Sequence, residues 1–301
     1  MAISLNLHTE DVVSLGDYIA YLDDHVDVHD IESLEASAGK FRSLLNDRRL
    51  ITKALNDQLI DWRTFQSGNT YSAQTFILGG GCGYFIRANI WAPPSRDGDI
   101  RAAEDQISAF QLVHDHNFTF MTGGYFGPGY RTCIYEYDRK GLAGIAGERA
   151  RLEFLEDTSL PRGKIMIYRK FIDVHSQDHA EEFSISVNIM IAPESPEEKI
   201  APQFIFDLDK GEIVSAITAN SGREALCYLA QSVGDDRTAE LLESLIDVHP
   251  DARVRWASIE ALAALVPCEG EYVMNRAFND RDLYVRQLAR DRIRQREVVT
   301  H

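Results

Sequence analysis

The chain has 301 residues, 45% of them hydrophobic, which is enough to bury one large core or two to three smaller ones and excludes a disordered chain. Its 31 Lys and Arg against 47 Asp and Glu give a net charge of −16, which opposes the counterion release that rewards nucleic-acid binding and disfavours anionic membranes. No stretch approaches the roughly 18 to 20 apolar residues that span a bilayer, no basic start with an apolar run marks a signal peptide, and Cys82, Cys133, Cys227 and Cys268 form no C-x-x-C pair, so the expectation is a reduced, cytoplasmic protein.

Residues 1–65 carry apolar positions at helical spacing, Val12, Val13, Leu15 and Ile19, then Leu34, Phe41, Leu44 and Leu45, and are expected to form an N-terminal helical segment. The pattern changes at "SGNTYSAQTFILGGGCGYFIRANIWAPP", where turn residues give way to short runs of Phe, Ile and Tyr. Similar runs punctuated by Gly and Pro continue to about residue 210, so 66–210 is expected to be a β sandwich or barrel. The glycine run 79–83 lacks a following Lys-Ser/Thr pair and a helix start, so it reads as a turn or bulge and not as a phosphate loop. The second glycine-rich stretch, "GGYFGPGYR", reads as a mobile lid.

From residue 211 to 301 helical periodicity returns. "HPDARVRWASIEALAAL" and "NDRDLYVRQLARDRI" align Val254-Arg255 over Val285-Arg286 with a period of 31, and "GREALCYLAQSVGDDRTAELLESLI" suggests a third copy. The shared D-x-x-V-R pattern resembles HEAT-type helical repeats, whose period is nearer about 40 to 47. So short an array needs cover for its apolar flank, including Ile259, Leu262, Leu265 and Val266, either from the β region or from a second copy in a homodimer.

Within the β region, His114 and His116 flank Asp115. On a strand, residues two apart point to one face, so this H-x-H aims two imidazoles at one point, as a metal site requires. In "YFIRANIW" the same alternation places Phe85, Arg87, Asn89 and Trp91 on one face; if that face looks inward, Arg87 is placed to pair with a substrate carboxylate. Tyr125, Tyr130, Tyr135 and Tyr168 are candidates to close a pocket or donate a proton. No G-x-S-x-G elbow and no Cys-His pairing supports covalent hydrolysis.

The H-x-H, the P-x-G turn at 161–163, His175 on the following strand, and the polar alternation Ser184, Ser186, Asn188 together resemble the two motifs of the cupin superfamily, over roughly residues 70 to 208. The resemblance implies an α+β fold in which a cupin-type double-stranded β-helix, or jelly roll, is joined by N-terminal helices and the C-terminal HEAT-like repeat region. It implies a metal held by His114, His116 and His175, with Fe(II) first and Ni(II), Mn(II) or Zn(II) as alternatives. Glu136 takes the place of the motif's carboxylate after an insertion, as ligand, acid/base group or surface charge. Glu136 and Tyr135 are thus the catalytic candidates, and Arg87, Asn89, Trp91, Tyr130 and Gln177 the substrate-binding ones. The implied activity is a mononuclear non-haem oxygenase or dioxygenase oxidising a small amino-acid-like molecule, a thiol such as cysteine by likeness to the three-histidine thiol dioxygenases, with O2. The rival expectation is a non-catalytic cupin sensor or scaffold whose repeats bind a protein.

Overall fold

The computed structural model describes residues 3–60, 63–64, 66–71, 74–101 and 110–299. The chain divides into two compact units, the first formed by Met1–Asp138, Arg151–Glu194 and Ile205–Gly211, the second by Arg139–Ala150, Ser195–Phe204 and Glu212–His301.

The first unit is built on strands β1 (Ile3–Asn6), β2 (Thr75–Gly81), β3 (Tyr84–Trp91), β4 (His114–Asp115), β5 (Phe120–Phe126), β6 (Arg131–Glu136), β7 (Glu153–Ser159), β8 (Lys164–Tyr168), β9 (Asp173–Gln177), β10 (Ser184–Ile191) and β11 (Gln203–Asp207). One sheet has the order β1-β8-β5-β10-β3-β2 and the other runs β11-β4-β9-β6-β7, all pairs antiparallel where register is defined. The eight strands β3 to β10 interleave as β3-β10-β5-β8 and β4-β9-β6-β7. That order is a jelly roll, so the fold is a cupin-like α+β fold.

Four helices precede β2: α1 (Leu15–His25), α2 (Ile31–Ala36), α3 (Ala38–Leu45) and α4 (Leu50–Ile60). Ser14 caps α1 by accepting from the Asp17 amide, and Asp30 caps α2 in the same way through Glu32. Tyr18, Leu22, Phe41, Leu44 and Leu45 are buried against Ile86, Met121, Ile165, Ile167, Val187 and Ile189. The helices therefore share a core with the first sheet. Because they cover its outer face, the strands β5, β8 and β10 are buried on both sides along most of their length. Alternation then sorts the side chains. Ile165 and Ile167 meet the helices, while Met166 and Tyr168 turn into the barrel beside Phe120, Trp91 and Tyr130.

The stretch "GGYFGPGYR" is not a free lid. Gly129 sits at φ +79°, and a Cβ there would lie 1.9 Å from the Leu160 carbonyl oxygen. Its amide donates to Ser184 Oγ at 3.0 Å, and the next residue, Tyr130, is buried. Only glycine allows this close approach of two backbones.

The second unit holds α5 (Pro196–Ile200), strand β12 (Glu212–Ile217) and helices α6 (Ser221–Val233), α7 (Asp236–Val248), α8 (Ala252–Leu265), α9 (Gly270–Phe278) and α10 (Leu283–Val299). Helices α6, α8 and α10 start 31 residues apart, and side chains 31 residues apart touch: Asn220 Nδ2 donates to Asp251 Oδ2 at 2.8 Å, Cys227 meets Ser258 at 3.4 Å, and Arg253 Nη1 donates to Tyr284 Oη at 3.2 Å. Asp251 and Asp282 cap α8 and α10 through the amides two residues on. The buried Arg255 forks onto Asp280 at 2.8 and 2.7 Å and also donates to the carbonyls of His249 and Pro250, tying the turn before α8 to the turn before α10. Ile259 and Leu262, expected as an uncovered flank, are buried in this unit's own core. Exposed apolar side chains of this unit include Leu226, Leu229 and Val233 on α6 and Leu241 and Val248 on α7, besides Val214 and Ile217 on β12. All four cysteines are free thiols. Among the described residues no helix is long and apolar enough to cross a membrane.

Candidate metal centre

His114 on β4 lies directly opposite His175 on β9, so both side chains leave the same, inner face of the second sheet. His116 follows two residues later on that face. The ring centroids of the three lie 4.7 to 5.1 Å apart, and their ligating atoms all lie within 4.8 Å of one another. The Nε2 atoms of His116 and His175 are 3.0 Å apart. Two nitrogens at about 2.1 Å from one ion stand about 3 Å apart when the ligand angle is near 90°, so the spacing suits a single coordinated ion. Asp115 points the other way: it is fully buried and accepts from the Tyr137 hydroxyl at 2.5 Å.

His114 Nδ1 is 2.9 Å from the Leu112 carbonyl oxygen, a contact that places the proton on Nδ1 and frees Nε2 as a donor to a metal. His175 Nδ1 is buried without a hydrogen-bond partner among the described residues. Burial pushes the His175 pKa well below the ordinary histidine value, and His114 and His116 beside it push the same way. Burial also lowers His114, against the opposing effects of the Leu112 carbonyl and Asp115. Neutral imidazoles are the form that ligates metal. Three histidines with open positions around the ion suit first-row transition metals used in catalysis.

The histidines line a cavity of about 270 Å³. Arg87, Asn89 and Trp91 from β3 face it, as the alternation of that strand implies, together with Tyr130 and Gln177. Glu136 and Tyr135 are not brought there. Glu136 accepts from Arg169 Nη2 at 3.1 Å, which holds its carboxyl below the usual range, and the Tyr135 ring packs edge-on to Phe154. In the regular pairing of β6 with β9 it is Ile134 that lies opposite His175, with Glu136 two residues further on opposite Asp173. Of the other tyrosines considered, Tyr125 donates to the Asp47 carbonyl and Tyr168 stacks on Phe120. His179 stacks on Phe110.

Tyr71, Gln74, Phe118 and Phe120, which sequence alternation did not single out, also line the cavity, as does Asn188. Asn188 carried a signal, since it belongs to the polar series Ser184, Ser186, Asn188. Arg87 is stacked on Tyr71, its guanidinium carbon 4.7 Å from the ring centroid, and its Nε is buried with no hydrogen-bond partner among the described residues. Tyr130 is fully buried, and its pKa is pushed up to about 12 by that burial, against hydrogen bonds with Gln177 and Thr122 and the charge of Arg87. It therefore keeps its proton at neutral pH.

No protein-family model matches the chain, and no curated protein matches it. Solved structures with some likeness include a DMSP lyase (11% identity, TM-score 0.24, covering 39% of this chain and 46% of that one). Another is the salicylate 1,2-dioxygenase of Pseudaminobacter salicylatoxidans (11% identity, TM-score 0.25, 48% and 33%). A third is the 11S allergen of Cocos nucifera (10% identity, TM-score 0.26, 62% and 38%). This chain spans less than half the length of each of these three.

Proposed function

We propose that the chain is a metal-dependent oxidoreductase, a mononuclear non-haem oxygenase that oxidises a small carboxylate-bearing molecule with O2. The observation that carries this reading is the convergence of His114, His116 and His175 in one buried cavity that also contains the unpaired Nε of Arg87. Fe(II) is the metal we favour, with Ni(II), Mn(II) and Zn(II) as alternatives. A redox-active ion held by three imidazoles supplies one-electron chemistry toward O2 and polarises a bound substrate atom.

The protein's own residues supply the rest. Arg87 binds the substrate carboxylate in a site with little water to screen the pair. Phe118 and Phe120, whose rings pack on His116 at 4.7 and 5.1 Å, keep water from the histidines. Tyr130, protonated and held by Gln177 and Thr122, keeps a hydroxyl proton beside the substrate's anionic end. An amino-acid-like substrate, including a thiol such as cysteine, fits if its carboxylate meets Arg87 and its other end faces the histidines. The stacked pairs of the second unit are a short HEAT-like array in this reading, whose exposed α6 and α7 residues a second copy of the chain covers. Those same residues favour the alternative, a ligand-sensing scaffold that docks a protein there.

The test is anaerobic loading with Fe(II), followed by O2 uptake with a panel of small thiol, hydroxy and oxo carboxylic acids. Uptake that depends on one of them and disappears in Arg87→Gln supports the enzyme. Stoichiometric iron with no uptake across the panel favours the sensor.

A further inference from the structure

The cavity wall opposite the histidines is the inner face of the first sheet. Two cross-strand rows of side chains run along it, Thr75, Asn89 and Ser186 in one, Arg87, Asn188 and Thr122 in the other. Each asparagine gives its carbonyl oxygen to a threonine. Thr75 Oγ1 donates to Asn89 Oδ1 at 3.1 Å, and Thr122 Oγ1 donates to Asn188 Oδ1 at 2.5 Å. A carboxamide has one accepting end and one donating end, so once both oxygens are taken the two NH2 ends remain for the cavity. Arg87 adds a guanidinium, which only donates. The indole of Trp91 completes the wall, with its N–H given to Ser186 Oγ at 3.0 Å.

We propose that Thr75 and Thr122 are positioning residues that fix the polarity of Asn89 and Asn188, so that with Arg87 they form a donor-only subsite for a carboxylate. This rests on the reading of the cavity as the substrate site, and names the group bound at its far wall. A carboxylate accepts through two oxygens and matches three donors with one positive charge. An ammonium placed there meets N–H against N–H beside a guanidinium. The two threonines are thus specificity determinants that never touch the ligand. Replacing either hydroxyl with a methyl releases the amide to turn, and the wall then offers an acceptor to the anion.

The experiment uses the whole chain stripped of metal with a chelator, with Trp62 and Trp256 replaced by Phe so that the remaining tryptophan fluorescence is that of Trp91, and follows it during titration with benzoate and with benzylamine, probes of similar size and opposite charge. Benzoate is expected to give a saturable change and benzylamine none. Thr75→Val and Thr122→Val should each weaken benzoate about 5- to 10-fold, the scale of one hydrogen bond, while Thr75→Ser and Thr122→Ser retain it. Arg87→Gln should weaken it most. If Thr122→Val does not fold, Thr75→Val carries the comparison. Benzylamine binding as tightly as benzoate, no benzoate binding to the wild type, or unchanged benzoate affinity in a folded Thr75→Val variant overturns the proposal. Metal content of untreated samples of the same proteins is measured in parallel. Loss of anion selectivity with metal retained defeats only the donor wall, and intact selectivity in a protein that never takes metal defeats only the oxidoreductase.

Discussion

The Nε2 atoms of His116 and His175 stand 3.0 Å apart across a sequence separation of 59 residues. The β4–β9 pairing that puts His114 opposite His175 creates this proximity, because one residue further along the inner face is His116. Substituting any one of the three by Ala removes a ligand but no strand contact. Metal content is expected to fall by at least about ten-fold in each variant with the far-ultraviolet circular dichroism unchanged. A variant that keeps full metal has lost a residue that is not a ligand.

Glu136→Gln distinguishes the structural placement of this carboxylate from the catalytic role its sequence context suggested. It sits on Arg169, which also has the buried Asp173 as a partner at 2.6 Å, so the substitution should cost less than about 1 kcal/mol and leave metal content unchanged. Metal analysis and urea denaturation check this. A large loss of metal returns Glu136 to the site.

Acid should destabilise the metal-free protein through the buried histidines. The pKa of His175 is lowered in the folded state, so below the unfolded value of about 6.5 the unfolded chain binds protons that the folded one excludes. The stability this neutral histidine contributes is present above that pH and is lost as pH falls from there toward the depressed folded value. Denaturation midpoints measured from pH 8 to pH 5 should therefore decline for wild type and decline less for His175→Gln. Parallel profiles would place the acid sensitivity elsewhere.

A β sandwich or barrel was legible in the short strand runs, the jelly roll and the third histidine only through the likeness to the cupin motifs, and the cavity-facing residues of β3 and the H-x-H through period-2 alternation. Once one face of β3 is inside, Arg87, Asn89 and Trp91 must be inside too, and the H-x-H fixes its own face in the same way. What a motif likeness does not carry is the effect of an insertion on spacing, and Glu136, expected from that likeness, lies opposite Asp173 and on Arg169, outside the lining of the histidine cavity. The glycine-rich segment was misread because composition records the freedom of glycine but not its use, which at Gly129 is close packing against Leu160. Thr75 and Thr122 gave no signal, since their contacts with Asn89 and Asn188 cross strands that are distant in sequence.

Gly129→Ala tests the packed loop. The added Cβ meets a backbone carbonyl and the residue keeps a positive φ, so the variant should lose well over about 1 kcal/mol and melt earlier. An unchanged melting temperature would mean the segment can move aside, as a lid would.

In the helical unit, Asp280→Asn leaves the buried Arg255 guanidinium without its counter-charge. Removing one partner of a buried pair costs about 3 kcal/mol or more, and the loss should appear as a lower thermal midpoint for the α-helical signal. A change of a few tenths would show that the carbonyls of His249 and Pro250 suffice to hold the arginine.

The central claim is that the three histidines form one metal site, and elemental analysis of protein purified without chelator, then reconstituted anaerobically with Fe(II), Ni(II), Mn(II) or Zn(II), tests it most directly. One tightly held ion per chain is expected in wild type and in Glu136→Gln, and none in His114→Ala, His116→Ala or His175→Ala. Wild-type protein that folds but holds none of the four metals, or a folded histidine variant that holds as much as wild type, contradicts it.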